Sequence, residues 1–260
     1  MKLALITLSD QGARVLARLA GVWPESTTWV HEGVTELPGA QRFSRVIELT
    51  HEIFTQFRGL VYVAPLGVAV RSIAGCCQQK TTDPAVVTVD VGARWAIALL
   101  SGHEGRANEL AFAVANVLGA EPVVTASSEA AKDLVVGVGC RRGTPAEAIV
   151  AAVGLALAAV SAGIDQVRVL ASADVKSDEP GLHEAALRLG LPLRLVAAEE
   201  IVGSPREFTR SEFVQEKVNL PAVAEPAALL AGRRTRLLLP KTIYHGVTVA
   251  IARESSLPSA

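Results

Sequence analysis

Two stretches of this chain concentrate side chains that do chemistry. Ser101-Gly102-His103-Glu104-Gly105-Arg106-Ala107-Asn108-Glu109 brings a histidine, two glutamates, an arginine and an asparagine together around two glycines. Imidazole is the side chain that ordinarily titrates near neutrality, so His103 is the candidate general base, with Glu104, Asn108 and Glu109 close enough in sequence to orient it. The second stretch, Gly139-Cys140-Arg141-Arg142-Gly143-Thr144, sets a thiol and two guanidinium groups between glycines. Glycine lets the backbone turn tightly and approach a ligand, and a following helix offers N–H groups and the positive end of its dipole. The dipole contributes about 0.3–1 kcal/mol toward an anion and a guanidinium–carboxylate hydrogen bond about 1.5–3 kcal/mol, so Arg141 and Arg142 dominate and indicate carboxylate or phosphate recognition. The alternative is a pair of solvated arginines, with Glu147 as their partner. Cys140 is open to two roles, a nucleophile activated by the helix terminus and the cations, or a small packing thiol.

Familiar signatures are absent. The Cys140 loop lacks the G-x-x-x-x-G-K-[ST] spacing of a P-loop and the third glycine of a dinucleotide loop, and no G-x-S-x-G elbow occurs. No two histidines stand at metal-ligand spacing, and Cys76, Cys77 and Cys140 form neither a C-x-x-C pair nor a zinc set. His31, His51, His183 and His245 have no comparable setting and are read as surface residues.

The elements around these loops are strands alternating with helices. Leu3–Leu8 reads as a strand followed by a turn and an apolar-periodic helix. Gly59–Ala64 leads through Pro65-Leu66-Gly67 into a helix, Val86–Asp90 and Trp95–Leu100 are strands turning at Gly92-Ala93, and Ser101 opens a helix to about Leu118. Pro122–Val124, Leu134–Val138, Val167–Leu170, Leu193–Val196, Leu237–Leu239 and Val247–Ile251 are further strands, with helices from Pro145 and over Glu179–Leu189. Thr144 and Glu147 have the spacing of a capping box. This pattern implies two three-layer α/β domains, each with a mostly parallel sheet and helices on both faces. The expected divisions are an N-terminal domain over 1–126, a short linker at 127–133, a C-terminal domain over 134–254 and a frayed tail at 255–260. In such sheets ligands bind beyond the carboxyl ends of the strands, where Arg71, Lys80, Asp83, Lys176, Asp178, Glu179, Lys241 and Thr242 join the two stretches above.

Composition narrows the function. Of 260 residues 50% are apolar and 20% charged, with a net charge of -1. Disorder is excluded, and a dedicated nucleic-acid binder would be strongly basic. The longest apolar stretch, Ala148 to Val160, is shorter than the roughly 18 residues of a membrane span. The opening apolar run stops at Ser9-Asp10-Gln11, too soon for a signal peptide, and the odd thiol count agrees with a cytoplasmic location.

The same loops resemble the cobalt-precorrin-5A hydrolase family (CbiG) of anaerobic cobalamin biosynthesis. The likeness runs in order through GLVYVAPLGVAVRSIAG (Gly59–Gly75), KTTDPAVVTVD (Lys80–Asp90), LLSGHEGRANELA (Leu99–Ala111), VGVGCRRGTPAEAI (Val136–Ile149), ADVKSDEPGLHEAA (Ala173–Ala186), AEPAALLA (Ala224–Ala231) and PKTIYHGVTVAIAR (Pro240–Arg253). Family members commonly carry a longer segment between the halves, and an apolar residue and a glycine where Glu104 and Arg106 stand here. The resemblance implies a two-domain hydrolase that opens the δ-lactone of a cobalt tetrapyrrole and expels C20 as acetaldehyde. The cobalt travels with the substrate, so no cofactor and no protein-bound metal are expected. Such a substrate carries many carboxylates, which a nearly neutral protein meets by concentrating Arg71, Lys80, Arg141, Arg142, Lys176 and Lys241 in one cleft. Ser101, Gly102, Asn108, Gly139, Cys140, Gly143 and Thr242 complete the expected substrate contacts. His103 activates water in this scheme, backbone N–H groups near Gly102 or Gly143 hold the oxyanion, and Glu109 and Asp83 are reserve bases. Neighbouring corrin-pathway enzymes are the implied protein partners, and a homodimer stays open. The second half alone is similar to the small corrin-pathway protein CobE, which leaves a non-catalytic carrier as the alternative. A generic sugar-phosphate or nucleotide enzyme, using the Cys140 loop for an anion, is the third option.

Overall fold

The computed structural model describes residues 2–35, 37–209, 220 and 222–255. The chain divides into two compact units, Met1–Ala126 and Ser127–Ala260.

Unit 1 is built on a seven-stranded sheet ordered β3-β2-β1-β4-β5-β6-β7. Its strands are β1 (Leu3–Thr7), β2 (Thr27–His31), β3 (Gln41–Phe43), β4 (Gly59–Val63), β5 (Ala85–Val89), β6 (Trp95–Leu100) and β7 (Glu121–Val123). Strands β1, β4 and β5 are buried along their whole length, which explains their continuous apolar sequence. Alternation sends successive side chains to opposite faces. Leu3 and Leu5 pack with Leu16 and Leu19 of α1 (Asp10–Val22) and Ala111 and Val114 of α4 (Ala107–Leu118). Ala4 and Ile6 pack on the other face with Leu49 and Ile53 of α2 (Val46–Ile53) and Ala69 and Ile73 of α3 (Leu66–Ile73). Helices thus cover both faces. The Ser9 hydroxyl starts α1 by accepting the Gly12 N–H at 3.1 Å.

All neighbouring strands of this sheet are parallel except β5 and β6, which pair antiparallel with Val86 opposite Leu100. That reversal follows from the short Gly92-Ala93 turn, which cannot make a parallel crossover. Its consequence is positional: the end of β6 lies beside the beginning of β5, not its end.

Unit 2 opens with a four-residue helix, α5 (Ser127–Ala130), in the expected linker. Its sheet is ordered β10-β9-β8-β12-β11, comprising β8 (Leu134–Gly139), β9 (Val167–Ala173), β10 (Leu193–Val196), β11 (Arg236–Tyr244) and β12 (Val247–Arg253). The pairs β8–β9 and β9–β10 are parallel, whereas β8–β12 and β11–β12 are antiparallel. This sheet is therefore evenly mixed rather than mostly parallel, because its last two strands form a hairpin. The two-residue turn His245-Gly246 has positive φ at both positions, +50° and +87°, as the right-handed twist of a hairpin demands.

Helices α6 (Ala146–Ala159) and α7 (Pro180–Leu189) bury Ile149, Val153, Leu182 and Ala185 against Leu134, Val136 and Val138 of β8. The short α8 (Ala198–Gly203) follows β10, and α9 (Ala224–Leu230) packs Ala224, Ala228 and Leu229 on Ala250 and Ala252. Helix α9 sits so close to β8 that a Cβ on Gly137 would stand 2.0 Å from Ala224 O and 2.6 Å from Ala228 N. The tail expected to fray lies, from residue 256, outside the described residues.

Gly137→Ala is expected to destabilise unit 2 by about 1–3 kcal/mol or more, since backbone must move to admit the methyl group. Gly154→Ala in the exposed face of α6, where nothing lies within 4 Å of the new Cβ, should stabilise by about 0.5–1 kcal/mol. Paired denaturant titrations of the two variants check both signs.

Candidate functional site

The first loop, 101–106, is not the start of a helix as its sequence suggests: α4 begins at Ala107. Ser101 and Arg106 take left-handed backbone angles, φ +57° and +68°, which break the helical path. The loop closes on itself through Ala107 N–H to Ser101 O and Asn108 N–H to Gly102 O, both 3.1 Å. The loop follows the carboxyl end of β6, as expected, and because β6 runs antiparallel to β5 that end lies at the amino-terminal rim of β5. The segment preceding β5 meets it there. Lys80 Nζ pairs with Glu104 Oε1 at 3.0 Å, and the ammonium holds the Glu104 carboxyl below the usual carboxylate range, with a smaller contribution from His103. Asp83 is buried, and both its carboxylate oxygens accept the Gln78 N–H at 3.0–3.1 Å. Arg106 Nε donates to Glu109 Oε2 at 2.7 Å, so that carboxylate already has a partner. His103 is exposed, and its carbonyl accepts the Arg106 N–H at 3.1 Å. The Lys80–Glu104 pair therefore brings the segment before β5 against the loop that carries Ser101, Gly102, His103, Asn108 and Glu109, whereas the Asp83 carboxylate bonds within its own segment.

Arg71 does not join them by its side chain. It belongs to helix α3 rather than a loop, and its Nη1 reaches back to Gly67 O at 3.3 Å, toward the carboxyl end of β4.

The second loop, 140–145, follows β8 at a carboxyl rim, and its organising group is Glu179. This carboxylate, 3% exposed, accepts the Gly143 N–H at 2.9 Å and faces Lys176 Nζ at 3.5 Å and Arg142 Nε at 3.6 Å. The Gly143 N–H expected to hold an oxyanion is thus already used. Thr144 donates its hydroxyl to Arg141 O at 2.7 Å, Pro145 is the N-cap of α6, and Glu147 pairs with Arg188; the Thr144–Glu147 capping box does not form. Arg142 also pairs with Asp178 at 2.9 Å, not with Glu147. Helix α7 is seated on this loop, where a Cβ on Gly181 would lie 2.0 Å from Thr144 O. Burial pushes the Cys140 thiol above its ordinary range; Glu179 pushes the same way, against Lys176 and the Thr144 hydrogen bond. Cys140 has the surroundings of a packing thiol, not of an activated nucleophile.

Lys241 and Thr242 lie within strand β11 rather than in a loop. The Lys241 N–H donates to Glu225 Oε1 at 2.9 Å and its Nζ to Thr209 O at 3.2 Å. Glu225, buried at the start of α9, also accepts the Thr209 N–H at 2.7 Å. Sequence reasoning gave Glu179 no organising role and passed over Glu225, although each immediately precedes a proline near a helix start. It also set aside His245, whose hairpin tip follows the pairing of Thr248 with Gly139 and so stands beside the carboxyl end of β8.

Among the described residues no group of three or more His, Cys, Asp or Glu is placed to hold a metal, and no helix is long and apolar enough to cross a membrane. The described residues thus form two three-layer α/β units, each with an ionic loop cluster at a sheet rim. The chain belongs to the CbiG family: Cobalamin synthesis G N-terminal matches residues 48–129 and Cobalamin synthesis G C-terminus matches residues 134–252. It is similar to cobalt-precorrin-5A hydrolase of Priestia megaterium, 24% identical over 358 residues that cover 96% of this chain and 94% of that protein. The Salmonella typhimurium cobalt-precorrin-5A hydrolase is 24% identical over 345 residues, covering 96% and 97%. Protein CobE of Sinorhizobium sp is 32% identical over 133 residues, covering 50% of this chain and 86% of its own.

With Cys76 and Cys77 replaced by serine, alkylation of Cys140 by iodoacetamide should rise with pH through a midpoint above that of free cysteine. Glu179→Gln removes a negative charge and should lower the midpoint, whereas Lys176→Ala should raise it. A wild-type midpoint below that of free cysteine would contradict the burial argument.

Proposed function

We propose that the chain is a cobalt-precorrin-5A hydrolase, opening the δ-lactone of its cobalt-tetrapyrrole substrate and releasing C20 as acetaldehyde. The observation that carries this is likeness to two curated cobalt-precorrin-5A hydrolases over 96% of the chain, through both units in order. The cobalt enters as part of the substrate, and the chain's own residues supply binding and proton transfer.

In this scheme His103, exposed at the rim of unit 1, takes a proton from water, an effect typically worth about 10²–10⁴-fold. The hydroxide equivalent adds to the acyl carbon, and the ring C–O bond breaks to give a carboxylate and an alcohol. Loss of the alcohol proton then drives cleavage of the adjacent C–C bond. Acetaldehyde leaves, and the electron pair stays on the macrocycle carbon, which takes up a proton. Peripheral carboxylates of the substrate exchange with acidic side chains now resting on the cations. Lys80 and Arg142 are suited to this exchange, because their pairs with Glu104 and Asp178 are exposed and such pairs are held weakly. The pair of Lys176 with Glu179 is buried and acts as a fixture.

The higher identity of the second half to CobE supports a second reading, a carrier of corrin intermediates. Incubation with cobalt-precorrin-5A, following product mass and acetaldehyde together, separates the two: a carrier returns the lactone unaltered. His103→Ala should slow acetaldehyde release at least 10²-fold with binding near normal. Asp178→Asn, by removing the exposed one of the two carboxylates that face Arg142, should lower KM by up to about fivefold; a raised KM would argue against carboxylate exchange there.

A further inference from the structure

Buried polar side-chain atoms nearly always have a hydrogen-bond partner, so two orphans in one turn point to a ligand. Ser101 Oγ and Asn108 Nδ2 are both buried and have no partner among the described residues. Ser101 is 7% exposed. The backbone bonds from Ala107 to Ser101 and from Asn108 to Gly102 hold the two residues where the loop closes on the first turn of α4. Glycine stands against each: a Cβ on Gly105 would lie 2.5 Å from Ser101 Cβ, and one on Gly102 would lie 2.8 Å from Asn108 Oδ1. The pair also sits at the first turn of the twelve-residue α4, whose N-cap residue, Arg106, provides no side-chain cap. A hydroxyl and an amide N–H₂ can both donate, and the helix end favours negative charge. An acceptor oxygen that carries, or acquires, negative charge is the group that would satisfy these donors.

We propose that Ser101 Oγ–H and Asn108 Nδ2–H donate to the lactone carbonyl oxygen and hold it as it becomes an oxyanion. This inference rests on the hydrolase function proposed above. Water adds to the acyl carbon, its proton going to the base, and the C=O π pair moves onto the oxygen held by the two donors. The carbonyl re-forms as the C–O bond to C20 breaks, and the departing oxygen takes up a proton. Ser101 and Asn108 are catalytic residues in this step, and they take the place of the Gly143 N–H, which Glu179 occupies.

A peripheral carboxylate oxygen offers the same acceptor chemistry, so the test has two arms on the full-length chain. In the first, Ser101→Gly, which suits the positive φ, and Asn108→Asp, which keeps the side-chain size, are compared with wild type for kcat and KM on cobalt-precorrin-5A. A kcat lowered about 10²–10³-fold per donor, with KM within about threefold, is expected. A raised KM at unchanged kcat, or no change in either, overturns the assignment. In the second arm the Asn108 side-chain amide of ¹⁵N-labelled wild type, identified by its loss in Asn108→Asp, is followed by NMR during titration with δ-valerolactone and separately with propionate. The resonance should move with δ-valerolactone and move less in Ser101→Gly. Movement with propionate alone, or with neither, overturns the proposal. A chain that shows the δ-valerolactone response yet leaves cobalt-precorrin-5A intact keeps the donor pair and fails as a hydrolase.

Discussion

Helix α9 rests on strand β8 at backbone distance, with Ala224 O where a Gly137 side chain would begin, and this contact decides where unit 2 can carry chemistry. The opposite face of β8 is covered by α6 and α7, so the strand is closed on both sides. At the rim beyond Gly139, one buried carboxylate ties together the backbone of one loop and the cations of two. Removing that carboxylate would leave Lys176 without its buried partner, the kind of loss that costs far more than breaking an exposed pair. Architecture and electrostatics are linked at this point, because the carboxylate comes from the residue immediately before α7, and α7 is itself seated on Thr144.

A chain of net charge -1 has few spare cations, and the structure shows how it keeps them. Lys80 rests on Glu104, Arg106 on Glu109, Arg142 on Asp178 and Lys176 on Glu179. The exposed pairs are held weakly enough for another carboxylate to take over, and the buried one is not. Counting basic residues in loops therefore overstates the positive field that an acidic ligand would meet. What matters is which acidic partner each cation must give up.

Much of this was legible in the sequence. Buried parallel strands such as Leu3–Thr7 and Gly59–Val63 announce themselves as unbroken apolar runs, and the polar loops after β6 and β8 stand out from them. Four features were not legible, each for a definite reason. The strand Trp95–Leu100 looks the same whichever way it runs, so its antiparallel pairing, and with it the rim on which His103 lies, depends on the length of the preceding turn. A Ser-Gly-His start looks helical until two non-glycine residues adopt positive φ, a choice made by loop closure and not by residue type. The spacing of Thr144 and Glu147 fits a capping box, but Pro145 as N-cap and the competing partner Arg188 send both side chains elsewhere. Glu179 and Glu225 were hidden because their hydrogen bonds run to residues 36 and 16 positions away, and local patterns do not carry such information.

Left-handed backbone at Ser101 and Arg106 costs roughly 1–2 kcal/mol per residue, a strain the surrounding contacts sustain before any ligand arrives. A turn fixed in this way has already surrendered its conformational freedom. Association then loses little further entropy from the loop, and discrimination falls to shape and polarity instead of to folding around the guest.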